Sequence, residues 1–318
     1  MRIVALAGGV GGARLAHGLA RALNPGELTV VVNTGDDFDH YGLRVSPDLD
    51  TVMYTLSGLA NEKTGWGVAD DTDSNLTMLR RYGEDAWFWL GDRDLATCLL
   101  RTQRLRAGQS LSAVTASLAN ALGVPATLLP MSDARVATIV ETPDGPLAFQ
   151  EYFVRRHHAD TVLSIRLEGI ESAQATPAAL EALAQAEAII ICPSNPLLSV
   201  GPILSVGGMR AAVQAARERG APVVAVSPII GGQAVKGPAA GNLAAQGVEV
   251  SPLGVARWYE GLLDGIAIDN ADEKLAPEIA ALGARPLVTD ILMRDAADRE
   301  RLAREVLVFA AELREARP

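Results

Sequence analysis

The residues able to handle phosphate and metal fall in a few short stretches of this chain. Gly8-Gly9-Val10-Gly11-Gly12 comes first, then Asn33-Thr34-Gly35-Asp36-Asp37, and later Pro193-Ser194-Asn195-Pro196 and Ser227-Pro228-Ile229-Ile230-Gly231-Gly232. A glycine run before a helix lets the backbone approach an anion, because the free N–H groups and the helix dipole favour negative charge there. It is not a Walker loop, since no Gly-Lys-Ser/Thr follows. The dinucleotide fingerprint is broken as well, because Arg14 stands where glycine or alanine is required. An unliganded strand-to-helix turn is the plain alternative.

The carboxylates are Asp36 and Asp37, directly after an apolar run, and Asp48 and Asp50 in Ser46-Pro47-Asp48-Leu49-Asp50-Thr51. Pro47 suits the first turn of a helix, so Ser46 and Asp48 have helix capping as their ordinary explanation. Asp50 lies two residues further on and faces elsewhere. Carboxylates beside a phosphate loop suit Mg²⁺, which takes oxygen ligands and bridges protein to substrate phosphates. Asp36 with Asp50 is the favoured pair. Leu90-Gly91-Asp92-Arg93-Asp94 follows the aromatic group Trp87-Phe88-Trp89, which offers either core packing or a planar ring held beside a polar helix start. His17, His40, His157 and His158 are scattered, and no Gly-x-Ser-x-Gly elbow or Cys/His pair is present. Cys98 and Cys192 read as small buried residues and give no disulfide framework.

Elements that would position these groups follow from periodicity. Strand patterns at 3–7 and 28–33 flank a helix pattern at 13–23, the opening of a βαβ unit. Helices at 177–186, 208–219 and 253–264 alternate with strands at 188–192, 223–226, 248–250 and 266–269, and a charged amphipathic helix covers 295–314. This alternation predicts an α/β, Rossmann-like fold: a mostly parallel sheet with helices on both faces. Residues 41–160 differ, with helices at 48–58, 74–82, 92–107 and 111–122 and strands at 126–129, 136–141 and 147–154 around the turn Pro143-Asp144-Gly145-Pro146. They read as a mainly helical insertion with a small β-hairpin, capping a nucleotide-binding domain made of 1–40 and 161–318. In open α/β sheets ligands sit at the carboxyl ends of the strands, and the special sequences above all follow predicted strands.

Composition removes several classes. A net charge of −10 with 4% aromatic residues argues against nucleic-acid polymers and anionic membranes. No run reaches the ~18–20 apolar residues of a membrane helix. The first apolar run breaks into glycines and Arg14 with no cleavage region, so a soluble cytoplasmic protein is expected.

Taken in order, Val32-Asn33-Thr34-Gly35-Asp36-Asp37, Ser46–Thr51, Leu90–Asp94, Leu129-Pro130-Met131-Ser132-Asp133, Pro193–Pro196 and Ser227–Gly231 resemble the 2-phospho-L-lactate transferase family of coenzyme F420 biosynthesis, including its bacterial phosphoenolpyruvyl transferases. The resemblance runs from the first strand to about residue 260. It implies a guanosine-diphospho donor carrying phospholactate or phosphoenolpyruvate, the deazaflavin FO as acceptor, release of GMP, Mg²⁺ as cofactor and a homodimer. Carried over by motif, Asp50 touches the acceptor and the metal, and Asp36 helps hold the metal. Trp89 lies where the family contacts the deazaflavin, and Gly9, Val10, Gly11, Gly12, Ser194 and Asn195 hold the donor. The same motifs make Asp37, Asp92, Arg93, Ser132, Asp133 and Pro228 substrate-binding candidates. Where the family carries histidine after Leu-Gly-Asp-Arg-Asp-x-Ala-Thr, this chain has Cys98. The first loop is closer to bacterial members than to the archaeal Thr-Gly-Thr-Pro-Lys form. The rivals are an NAD(P)-type dinucleotide-dependent oxidoreductase, with Asp36 on a ribose, and a non-catalytic nucleotide-binding regulator.

Overall fold

Ile3–Ala7 is apolar and buried at all its positions, as an interior strand covered on both faces must be. In the computed structural model, which describes residues 1–235 and 239–317, this strand lies inside the main sheet. Among the described residues that sheet contains β1 (Ile3–Ala7), β2 (Leu28–Val32), β3 (Thr127–Pro130), β4 (Ala188–Ile191), β5 (Val223–Val226), β6 (Gly265–Ile268) and β7 (Arg285–Val288). Every neighbouring pair is parallel, in the spatial order β7-β6-β5-β4-β1-β2-β3. The α/β fold with a parallel sheet is therefore observed as expected.

The order reverses at β1, which pairs with β2 on one side (Ile3 opposite Leu28) and with β4 on the other (Ile3 opposite Ala188). Beyond the carboxyl ends of β1 and β4 lies the topological switch point, where open sheets of this kind leave a crevice. Alternate side chains along the strands feed two cores. Val4, Leu6, Ile189 and Ile191 pack on the face that carries the helices Pro177–Gln185 and Met209–Glu218. Ile3, Ala5, Ala7 and Ile190 pack on the other. There they meet α1 (Gly9–Ala22), α2 (Pro47–Leu56) and the last helix, Ala296–Glu315. Among the described residues no helix is long and apolar enough to cross a membrane.

Three expectations about segments need correction. The strand expected at 126–129 within the insertion is Thr127–Pro130, the edge strand β3 of the main sheet, paired with β2. The strand expected over 147–154 ends at Ala148, and Glu151–Arg155 winds into a π-helical turn. That turn brings Phe149 and Phe153 into a stack at 5.5 Å, a contact between residues four apart that an extended chain would not make. Residues 248–250 form no strand; Val248 and Val250 pack against the core without a ladder. The insertion keeps its helices α3 (Ser74–Arg81), α4 (Asp92–Arg106) and α5 (Leu111–Ala121). It adds a hairpin, Phe38–His40 with Leu43–Val45. A small antiparallel sheet centred on Ala137–Thr142, with Gly145–Ala148 and Ser164–Glu168 on its flanks, completes the cap.

One close approach fixes α1 against the last helix. A Cβ on Gly18 would lie 2.0 Å from the carbonyl oxygen of Arg299. Gly18→Ala must push the two helices apart and is expected to cost about 1–3 kcal/mol, read as a lower urea midpoint with an unchanged slope. An unchanged midpoint would show that the helix pair does not need this contact.

Candidate active site

The loop after β1 and the loop after β4 are stitched together across the switch point. The Gly8 N–H donates to Ser194 Oγ at 3.0 Å. A Cβ on Gly11 would fall 2.3 Å from the Pro193 carbonyl oxygen, and one on Gly12 2.4 Å from Ser194 Oγ. The glycines are thus required by backbone proximity as well as by the φ of +61° at Gly9. At the start of α1 the Gly9 N–H donates to Asp48 Oδ1 at 2.8 Å. Asp48 therefore serves the first turn of another helix rather than its own. Ser46 does not cap α2 either: its hydroxyl donates to Asp37 Oδ2 at 2.6 Å. The N–H groups of Val10 and Gly11 have no partner among the described residues, so two donors at the positive end of α1 remain for an anion.

Asn33, at the end of β2, organises the acidic centre. Its Nδ2 donates to Asp48 Oδ2 at 2.9 Å, to Asp36 Oδ2 at 3.3 Å and to the Leu198 carbonyl at 3.3 Å. Its Oδ1 accepts the Gly35 N–H at 2.8 Å and so fixes the amide orientation. Two amide hydrogens thus serve three acceptors, two of them carboxylates. Asp36 Oδ1 is buried with no hydrogen-bond partner. Burial, and then the charge of Asp48, hold the Asp36 carboxyl well above its usual range. Burial raises Asp48 to about 6 against the Asn33 and Gly9 hydrogen bonds, and raises Asp37 to about 7.

Asp50 has a different environment. Both its oxygens accept from the guanidinium of Arg101, with Nη1 to Oδ2 at 3.0 Å and Nη2 to Oδ1 closing the fork. Arg101 is almost completely buried, so this is a desolvated, bidentate pair. Beside it the Tyr54 hydroxyl donates to Asp94 Oδ1 at 2.8 Å, and burial followed by the Asp50 charge pushes Asp94 up to about 7. Cys98 is buried in the same group, and burial pushes its thiol far up, away from thiolate chemistry.

These groups border one cavity of about 590 Å³. On the sheet side it is lined by Gly9, Val10, Gly11, Asp36, Asp48, Asp50, Ser194, Asn195 and Pro228. On the cap side it is lined by Tyr54, Trp66, Trp87, Phe88, Trp89, Asp94, Phe149 and Phe153. Trp66 and Trp89 meet edge to face at 5.5 Å.

Six sequence candidates are not among the lining residues. Gly12 is buried against Ala7 and Ser194. Asp37 is occupied by Ser46. Asp92 accepts from Thr72 Oγ1 and from the N–H groups of Ser74 and Asn75, which hold it down at about 2, so it tethers the start of α3. Arg93 donates to the Ala69 carbonyl, Ser132 to the Gln174 carbonyl, and Asp133 accepts the Ser112 N–H at the start of α5. Each of these polar groups holds one chain segment to another. Asp36 and Asp50, the pair favoured for metal, both border the cavity, where Asp36 shares the Asn33 amide with Asp48 and Asp50 pairs with Arg101. Arg101, Tyr54 and Trp66 were not singled out by type or spacing, and Asn33 was named only as part of the stretch that follows the second strand. Only their positions reveal them, though Asn33 directly after a buried strand was a signal available in the sequence.

The donor set suits a divalent cation. Asp36 and Asp48 are buried together with one shared amide donor and, among the described residues, no basic side chain hydrogen-bonded to either, whereas Asp50 is already balanced by Arg101. Carboxylate oxygens in that condition match what Mg²⁺ accepts.

A parallel sheet whose polar groups gather beyond β1, β2 and β4, beneath an aromatic cap, places the chain in the Rossmann-like α/β class. The family profile described as 2-phospho-L-lactate transferase CofD matches residues 3–307, and the chain belongs to that family of transferases. It is 49% identical to a phosphoenolpyruvate transferase of Kitasatospora aureofaciens, over 99% of each chain. It is 38% identical to a 2-phospho-L-lactate transferase of Methanococcoides burtonii, over 97% of this chain and 99% of that one. A solved structure of a UPF0052-family protein from Bacillus halodurans shares the fold at a TM-score of 0.64 and 15% identity, covering 96% of this chain and 98% of that one.

The raised carboxyls give a signed pH dependence. Asp48 has its folded pKa lifted from 3.8 to about 6, so the folded chain holds the extra proton and the stability from it is lost as pH rises through that window. His17 and His40, which burial depresses, act in the opposite sense. The comparison with Asp48→Asn cancels them. In metal-free buffer the melting temperature of Asp48→Asn minus that of the parent should therefore grow between pH 4.5 and pH 7.5, on the order of a few degrees. A constant or shrinking difference would contradict the buried-pair electrostatics.

Proposed function

We propose that this chain transfers a phosphoenolpyruvyl group from a guanosine-diphospho donor to a ribityl hydroxyl of the deazaflavin FO, releasing GMP, in the biosynthesis of coenzyme F420. The observation that supports it most is the composition of the single cavity: free N–H donors at a helix start, an uncompensated carboxylate pair and an aromatic wall all border the same space. The wall of Trp66, Trp87, Phe88 and Trp89 suits a planar tricyclic ring. The donors of Val10 and Gly11 suit a diphosphate. Higher identity to the relative named for phosphoenolpyruvate than to the one named for phospholactate favours the former acid.

In this reading the acceptor hydroxyl oxygen attacks the outer phosphorus of the donor. The new P–O bond forms as the bond to the bridging oxygen breaks, and GMP leaves with that oxygen. The hydroxyl proton passes to the Asp50–Asp94 pair. Asp94, held near 7, is matched to accept a proton at neutral pH, while Arg101 keeps its neighbour oriented. Asp36 and Asp48 would hold Mg²⁺, which would supply charge neutralisation for the diphosphate. Asn33 holds both carboxylates through its side-chain amide. Trp89 and Trp66 orient the ring and exclude water. The reading carries with it a soluble cytoplasmic homodimer.

Purified protein with FO, Mg²⁺ and the guanosine-diphospho donor of phosphoenolpyruvate should release GMP and yield FO heavier by one phosphoenolpyruvyl group. Product with the phospholactyl donor alone would correct the acid. Binding of NAD(P) with hydride transfer, and no GMP from either donor, would overturn the reading in favour of an oxidoreductase.

A further inference from the structure

Among its described lining residues the cavity is rich in carboxylates and poor in cations. The basic ones among them are Arg14 and Arg294. Arg294 is committed to Asp290 at 2.9 Å and Asp298 at 3.0 Å. Among the described residues Arg14 has no carboxylate partner: its one hydrogen bond there is from Nη1 to the Met293 carbonyl, at 3.3 Å. The acid nearest in effect, Glu62, is gripped in a two-pronged pair by the buried Arg299. Burial, and then repulsion from Arg299, make Arg14 less basic than usual, so the fold leaves this charge undercompensated.

Position supplies the rest. Arg14 follows Val10 by four residues and Gly11 by three on α1, so the three share one helix face. Side chains on a helix lean towards its N-terminus, which carries the guanidinium back towards the glycine turn. The N–H groups of Val10 and Gly11 on that same turn have no hydrogen-bond partner among the described residues. A planar guanidinium beside two parallel N–H donors matches adjacent phosphoryl oxygens.

We propose that Arg14, with the N–H groups of Val10 and Gly11, clamps the diphosphate of the donor and takes up the charge that the bridging oxygen gains as GMP departs. This inference rests on the transferase reading above and adds the residue that recognises the anionic part of the donor. It also assigns a role to the residue that breaks the dinucleotide fingerprint: a glycine there would pack a strand against a helix, whereas Arg14 reaches into the cavity. The carboxylates and the clamp then divide the site, with the cation locus on the β2 side and the guanidinium on the α1 side.

The test is calorimetric titration of the full chain, in Mg²⁺ buffer, with GDP, guanosine and FO as separate probes. Arg14→Gln should weaken GDP by roughly 10- to 100-fold. Guanosine and FO affinities and the melting temperature should stay at parent values. Arg14→Lys should recover part of the GDP affinity, because it keeps the charge and loses the fork. In turnover, Arg14→Gln should lower kcat/KM for the donor and leave KM for FO unchanged. GDP binding by Arg14→Gln equal to the parent would overturn the clamp while leaving the transferase reading standing. Equal losses for GDP, guanosine and FO would assign Arg14 a structural role and overturn it too. A parent protein that binds FO but neither GDP nor guanosine would overturn the clamp together with the donor assignment.

Discussion

Two carboxylates buried side by side, with one amide to share, set the terms for the rest of this molecule. Like charges in a low-dielectric site repel and are poorly solvated, and each raises the proton affinity of the other. Asp36 and Asp48 tolerate this arrangement because Asn33 donates to both and because α1 offers Asp48 its first N–H. The arrangement is stable at low pH or with a cation present, and it is least comfortable at neutral pH without one. A site of that kind is built to be completed by something positively charged.

The sheet explains why these groups meet. Asn33 and Asp36 follow β2, the glycine turn follows β1, and Ser194 follows β4. Those strands are adjacent only because the spatial order reverses at β1, so residues some 160 to 190 positions apart in the chain become hydrogen-bond partners. Asp48 arrives on α2, which packs on the same face of the sheet as α1. Arg101 comes from the cap and neutralises Asp50, so two nearby carboxylates in one motif acquire different tasks. Asp48 belongs to the uncompensated pair, and Asp50 to an ion pair that orients it beside Asp94.

Much of this was legible in the sequence, for definite reasons. Continuous apolar strands such as Ile3–Ala7 and Ala188–Ile191 announced a sheet buried on both faces, and glycine after the first of them marked the crevice. The motifs in order identified the family. What escaped was whatever depends on contacts distant in sequence. Asp92 and Asp133 look like ligands by type, yet they are used up tethering cap helices. Arg101, unremarkable in a charged helix, is the counter-ion of Asp50. The strand expected at 147–154 failed because aromatic residues four apart prefer to stack within a tight helical turn. The edge strand β3 was assigned to the insertion because its pairing with β2 spans about a hundred residues and leaves no local trace.

The most direct test of the account is whether the cation locus is the Asp36–Asp48 pair. Titration with Mn²⁺ in place of Mg²⁺, followed by electron paramagnetic resonance of the free ion, can be run on the parent, Asp36→Asn, Asp48→Asn and Asp50→Asn in the presence of GDP. The account predicts one tight site in the parent, weakened about tenfold or more in Asp36→Asn and Asp48→Asn, and retained in Asp50→Asn. Loss of the site in Asp50→Asn with full binding in Asp48→Asn would contradict it.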